Sequence, residues 1–238
     1  MIKLKSEKTR KQDIFMKAKI IYEDEEILVC HKQAGLATQT GKVGQKDLVS
    51  ELKNYLGGNP YLGLVHRLDQ PVEGLLVFAK TAYAAKELSR QLTDNILNKQ
   101  YLAVVLGKGF PNETKLEDYL IKDNKTNMSR IAGGKEDGAK KAELRVKTAV
   151  YSEVHNISLL EITLLTGRHH QIRVQMANTE SPLLGDSKYG TEESMMKSKE
   201  LGVRNVALCA AKLAFVHPKT KKQMEFQIEP ESEIFQKF

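Results

Sequence analysis

The apolar residues of this chain come in short runs, each closed by a glycine, a proline or a polar cluster, and that punctuation limits the folds open to it. Ile27-Leu28-Val29-Cys30, Leu75-Leu76-Val77-Phe78-Ala79, Tyr101-Leu102-Ala103-Val104-Val105-Leu106 and the stretch from Ile157 to Leu165 read as strands. The first ends in a turn, His31-Lys32-Gln33-Ala34-Gly35, and the third stops at Gly107. Thr81 is placed to cap a helix that carries Ala82, Ala85, Leu88 and Leu92 on one face. Thr166-Gly167 opens a second helix through Met176. Leu213-Ala214-Phe215-Val216 and Met224-Glu225-Phe226-Gln227-Ile228 flank Pro218-Lys219-Thr220-Lys221, and the alternation in the second run predicts a hairpin. No internal repeat and no linker divides the chain. Strands at short spacing with inserted helices predict a single α+β domain built on a mainly antiparallel sheet.

At 238 residues the chain can bury a core without disulfide or metal staples. No apolar run approaches the ~18 residues of a membrane helix, and the basic, polar start lacks the apolar centre of a secretory signal. Cys30 and Cys209 have no partners at short spacing, so a reduced, cytoplasmic protein is expected. The formal net charge is +7, and the excess is uneven. Residues 1–20 hold seven Lys/Arg against two acids, and residues 121–145 hold seven against four. Both segments read as solvated tails or loops that could rest on phosphates. Residues 1–19 are accordingly set apart as a basic arm ahead of a domain spanning 20–238.

Several familiar chemistries are excluded by spacing. Gly35 to Lys42 has five residues between its glycines and Val43 where a phosphate-binding loop needs Ser or Thr. There is no CxxC, HExxH or Gly-x-Ser-x-Gly. His169 and His170 are adjacent and on a helix would point to different faces, so no metal is expected. What remains is a set of polar stretches at predicted strand ends, where rigid scaffolds present chemistry. These are His66-Arg67-Leu68-Asp69, Gly167-Arg168-His169-His170-Gln171-Ile172-Arg173 and Gly185-Asp186-Ser187-Lys188-Tyr189-Gly190. Structural ion pairs would account for any one of the charges. Together they set a carboxylate among arginines.

The stretch HRLDQPVEGLLVFAKT, residues 66–81, resembles the signature of the RluA-type pseudouridine synthases, which centres on His-Arg-Leu-Asp followed by a Gly-Leu-Leu strand. The resemblance extends in order along the chain. Ile20 to Asp24 with His31 to Leu36 is similar to the family's opening, and Lys99-Gln100-Tyr101 through Gly107 to its tyrosine-bearing strand. Gly167 to Val174 resembles its Gly-Arg-Thr-His-Gln-Ile-Arg motif; Gly185-Asp186 with Lys188-Tyr189-Gly190, and Ala207 to Ala210 with Phe215 to Pro218, resemble two later blocks. Three departures stand out: Val72-Glu73 where Thr-Ser is usual, Gln33 in place of a proline, and His169 where threonine is common. Glu73 is expected to alter the charge near the site. The S4-type RNA-binding domain that many members carry is expected to be absent.

The resemblance implies a pseudouridine-synthase fold and a cofactor-free isomerisation of uridine in structured RNA, ribosomal or transfer, by a monomeric protein. It assigns Asp69 as the carboxylate that acts on sugar or base, Arg173 as the cation that keeps it ionised, and Tyr101 as a stacking face with a hydroxyl for proton transfer at C5. Arg67 would fill the space that a flipped uridine leaves. His66, Arg168, His170, Gln171, Lys188 and Tyr189 complete the expected RNA contacts. Two other classes share these residues: a non-catalytic RNA-binding or assembly factor, and an N-glycosidic hydrolase. The hydrolase would need a second carboxylate or a metal to activate water.

Overall fold

The computed structural model describes residues 18–41 and 44–238, which build one sheet of eleven strands. In chain order these are β1 (Ala18–Glu23), β2 (Ile27–Lys32), β3 (Gly63–Leu64), β4 (Glu73–Ala79), β5 (Asn98–Leu106), β6 (Thr114–Asp123), β7 (Met128–Ala132), β8 (Lys140–Ser152), β9 (Ile157–Leu164), β10 (Leu208–Val216) and β11 (Gln223–Gln227). Across the sheet they run β1-β2-β4-β10-β5-β9-β8-β6-β7, with β3 beside β4 and β11 beside β10. β4 and β10 pair in parallel; the other named strands pair antiparallel. Among the described residues four α-helices are inserted: α1 (Leu48–Leu56), α2 (Ala82–Thr93), α3 (Gln171–Asn178) and α4 (Glu192–Glu200). A 3-10 turn, Glu233–Lys237, closes the chain. This is the expected α+β architecture. No helix among the described residues is long and apolar enough to cross a membrane.

The sheet is covered on both faces in its central part, which is why β4 is buried at every position. Leu76 and Phe78 enter a front cluster with Tyr101, Leu48 and Leu52 of α1, and Ile172 and Met176 of α3. Leu75 and Val77 enter a rear cluster with Ala84 and Leu88 of α2 and with Phe215. Each large aliphatic side chain taken from water contributes about 1.5–3 kcal/mol. Thr81 caps α2 as expected, its Oγ1 accepting from the Ala84 amide at 3.1 Å. The buried face of α2 is Ala84, Leu88 and Gln91, with Ala82 exposed, because the helix meets the sheet about one position out of phase with the expected stripe.

Other boundaries also differ from the sequence reading. β2 continues through His31 and Lys32, and the chain turns only at Ala34-Gly35. Residues 121–145 are not a solvated loop: they end β6, form β7 and begin β8. Lysines and glutamates of β6 and β8 stand on the open face as cross-strand pairs, Lys115 to Glu143 at 2.6 Å and Lys141 to Glu117 at 3.1 Å, while Leu144 and Val146 of β8 face the core. The second helix begins at Gln171 rather than at Thr166, since His170 adopts a left-handed conformation (φ 54°) that a helix interior does not accept. The hairpin of β10 and β11 lies where the alternation put it. Of the expected basic arm, Ala18 and Lys19 belong to β1, and the rest lies outside the described residues.

The parallel pair depends on Gly74. At φ 136° a Cβ on this residue would stand 2.4 Å from the Ala210 amide nitrogen, so the β4–β10 contact requires the missing side chain. Gly74→Ala is expected to destabilise the fold by at least about 2 kcal/mol, combining backbone strain with overpacking. Urea denaturation of the two proteins reads the difference directly.

Candidate active site

Loop 65–72 between β3 and β4 is held in place by its backbone. The Thr38 hydroxyl donates to the Leu68 carbonyl at 2.8 Å and accepts from the Leu68 amide at 3.2 Å. One residue beyond Asp69, the Gln70 carbonyl accepts from the Gly35 amide at 2.8 Å and from Lys32 Nζ at 3.2 Å. Lys32 is 0 % exposed, and its ammonium also donates to the carbonyls of Leu36 and Gln33. Burial lowers its pKa to about 8, against the opposing pull of Asp69. Asp69 is thus bracketed by two fixed residues, with its side chain 29 % exposed.

Arg173, on the first turn of α3, meets that carboxylate: Nη1 donates to Asp69 Oδ2 at 3.2 Å. The rest of its guanidinium is clamped by Asp186, with Nε and Nη2 each 2.7 Å from a carboxylate oxygen in a buried bidentate pair. Burial works against the charge on Arg173, but Asp186 and then Asp69 outweigh it and leave its pKa raised. Asp186 was not among the residues singled out by role from the sequence. The signal was present, because a buried arginine serving one half-exposed carboxylate needs a second.

His170 lies on the other side of Asp69, with Nε2 3.5 Å from Oδ2. Its Nδ1 is 2.8 Å from the Tyr189 hydroxyl, which accepts from the Ser129 amide at 2.7 Å. A proton on Nε2 satisfies the group, with Tyr189 donating to Nδ1 and the imidazole N–H turned to the carboxylate. The Tyr189 ring carries the Arg173 guanidinium 5.1 Å from its centroid. His169 does not diverge from His170: the rings stack 3.8 Å apart, and His169 Nδ1 is 2.9 Å from the Ser129 hydroxyl. The left-handed backbone at His170 turns both rings to one side.

Tyr101, on β5, completes the floor. Burial first and Asp69 second push its phenol well above the usual range, so it stays protonated. His66 is buried beneath, its Nε2 accepting from the Val77 amide at 3.3 Å, and burial lowers its pKa to about 3. Gln171 is likewise engaged by the scaffold: Oε1 accepts from the Thr166 hydroxyl and the Arg168 amide, and Nε2 donates to the Glu143 carbonyl. Arg67 is exposed on the cleft wall. Arg168 and Lys188 stand at the rim, anchored to the carbonyls of Lys141 and Asn127. Asp69, Tyr101, His170, Arg173, His66, Gln171, Arg67, Arg168 and Lys188 line one cleft of ≈ 1310 Å³, with Asp186, Tyr189 and Lys32 behind its wall. Glu73 does not: it is buried 3.6 Å from His31 and accepts from the amides of Glu231 and Ser232, so it ties down the C-terminal segment instead of charging the site.

A cleft on a mainly antiparallel sheet, with a carboxylate set between a clamped arginine and a neutral histidine, has close parallels in fold. Two human solved structures, RNA Pseudouridylate Synthase Domain Containing 1 and 4, superpose with TM-scores of 0.74 each, at 20 % and 19 % identity. The first covers 90 % of this chain and 83 % of its own, the second 95 % and 94 %. Residues 26–178 match the family described as RNA pseudouridylate synthase, and the chain belongs to that family. Among curated relatives, ribosomal large subunit pseudouridine synthase C of Haemophilus ducreyi is 32 % identical over 205 residues, covering 86 % of this chain and 63 % of the relative. The corresponding synthase D of Zymomonas mobilis is 34 % identical over 221 residues, covering 88 % and 68 %. The chain therefore spans about two-thirds of the length of these relatives.

The histidines set an acid limit on the fold. His66 and His170 are held neutral, with pKa values lowered to about 3 and about 4 by burial, while the unfolded chain takes up their protons near pH 6.5. Their contribution is complete above pH 6.5 and is lost as pH falls from there towards 4. Melting temperature is expected to drop across that window. His170→Asn, which tolerates the left-handed backbone, should show a smaller drop than the parent.

Proposed function

We propose that this protein isomerises uridine to pseudouridine in RNA, and that its substrate is ribosomal RNA. The observation that carries the reading is the half-exposed Asp69 carboxylate, fixed on a cleft floor between Arg173 at 3.2 Å and the Tyr101 ring. The relatives named as ribosomal large subunit synthases support the choice of RNA.

The reaction breaks the N1–C1′ bond of the nucleotide, turns the uracil, and joins C5 to C1′; C5 loses a proton and N1 gains one, so mass is unchanged. Asp69 assists glycosidic cleavage as a carboxylate, and the Arg173 Nη1 hydrogen bond orients it. The uracil stacks on Tyr101. A phenol that stays protonated is a poor base, but a hydroxyl that donates as it accepts can relay the C5 proton without becoming phenolate. Arg67, exposed and planar, fills the gap that the flipped uridine leaves, where unstacking costs a few kcal/mol. Arg168 and Lys188 hold the backbone at the rim, while His66, Gln171 and Tyr189 keep the floor rigid.

Asp69→Asn is expected to abolish pseudouridine formation while RNA affinity stays within about tenfold, since phosphates supply most of the binding. Pseudouridine mapping of RNA treated with each protein tests this; near-normal turnover by the variant would remove Asp69 from the chemistry. Abasic product would point to hydrolysis, and unmodified uridine with intact binding to a non-catalytic factor.

Tyr101 separates into ring and hydroxyl. Tyr101→Phe should bind RNA like the parent and turn over about a hundredfold more slowly, whereas Tyr101→Ala should lose affinity as well. A phenylalanine variant with parental single-turnover rates would confine the residue to stacking.

A further inference from the structure

One cation in the cleft has no counterpart. Lys99 lies on β5 two residues before Tyr101, so the two side chains leave the same face of the strand. Burial depresses its pKa, and no opposite charge offsets the shift. Among the described residues it makes neither a hydrogen bond nor an ion pair. The fully buried cations beside the cleft are answered: Lys32 by three carbonyls and Arg173 by two carboxylates. Arg67, Lys122 and Arg204 stand in solvent and need no partner.

The position of the ammonium is well defined. A Cβ on Gly167 would stand 3.6 Å from Lys99 Nζ, so it lies against the loop that leads into α3, inside the cleft. It is also close enough to His66 to oppose that residue's protonation. A desolvated charge without a partner is unfavourable, so a lysine kept there is suited to an anion that arrives with the ligand. Uracil and ribose are neutral at working pH, which leaves the phosphodiester. Two strand residues span about 6.6 Å, a distance of the order that separates a nucleobase from the phosphates of its own nucleotide.

Resting on the uridine-isomerising reading above, we infer that Lys99 binds a phosphodiester flanking the target uridine while the uracil lies on Tyr101. Lys99 is a positioning residue: it fixes the sugar–phosphate relative to Asp69 and takes no part in bond changes.

The test uses the full chain and an unmodified large-subunit ribosomal RNA transcript, with binding titrated over a KCl series. Lys99→Met, which keeps the packed stem and drops the charge, should reduce the magnitude of the log–log salt slope by about 0.7–0.9. It should also weaken affinity by at least about tenfold, as expected for one lost charged hydrogen bond. Lys99→Arg should restore both. Lys99→Gln replaces the Met variant if that protein does not fold. A parental salt slope in the folded uncharged variant, or no rescue by arginine, overturns the assignment. A wild-type chain that binds with the expected slope difference yet makes no pseudouridine overturns the proposed reaction and leaves the phosphate contact standing. A wild-type chain that binds no RNA overturns both.

Discussion

The buried pair of Arg173 and Asp186 is the interaction on which the site depends. Asp186 is completely buried and Arg173 nearly so, and neither charge would survive there alone. Bidentate geometry fixes the guanidinium plane, and the Tyr189 ring supports it at 5.1 Å. Only Nη1 remains to reach Asp69. A lysine could supply the charge but not this division of labour, because an ammonium is a point donor without a fixed fork. Asp186 also accepts from the amides of Lys188 and Tyr189, so one carboxylate shapes both the arginine and the loop that carries the rim lysine.

Charge balance follows from this arrangement. Two carboxylates, Asp69 and Asp186, face two cations, Arg173 and Lys32, which leaves Lys99 as the one uncompensated charge of the floor. The rest of the chain's net +7 is carried elsewhere, and around the cleft it stands on the exposed Arg67, Lys122, Arg168 and Arg204. Exposed charges are screened by salt within about 10 Å at 0.1 M, buried ones much less. Affinity for a polyanion should then respond to ionic strength while the environment of Asp69 hardly changes. The two histidines beside it add no charge at neutral pH, since burial keeps His170 near pKa 4 and lowers that of His169 too.

Much of this was legible in the sequence, and the failures have physical reasons. β4, β5, β9 and the β10–β11 hairpin were readable because buried strands leave apolar runs or clean alternation. β8 does not stand out in the sequence although Ala142-Glu143-Leu144-Arg145-Val146-Lys147 alternates, because its density of charge reads as solvent-facing loop; Glu143 and Lys147 are ion-paired along one open face. α1 was unread despite Asp47, whose Oδ1 caps it at the Ser50 amide with 2.7 Å. The premature start assigned to α3 reflects a local conformation, the left-handed His170, that no periodicity encodes. In the site, Asp69, Tyr101, Arg173 and His170 come together from three separate blocks. Lys32 reads as a turn residue in the sequence because a fully buried lysine contradicts composition rules; its three carbonyl partners exist only in the folded loop arrangement.

The placement of Asp69 shows how a loop can be as exact as a strand. Its own side chain makes few contacts and must remain free for a ligand. Position is therefore imposed through the chain on either side. Upstream, Leu68 is locked to Thr38 through both its amide and its carbonyl. Downstream, Gln70 is held by Gly35 and Lys32, and the Val72 amide returns to the Asp69 carbonyl at 3.1 Å. The strand then begins at Glu73, whose carboxylate takes the amides of Glu231 and Ser232, and at Gly74, pressed on β10 where no side chain fits. The substitution of Glu at this point thus adds an anchor between the loop exit and the C-terminal segment. Constraint by backbone leaves the carboxylate half-exposed and still fixed in direction, which a site must have if a neutral base is to be turned over against it.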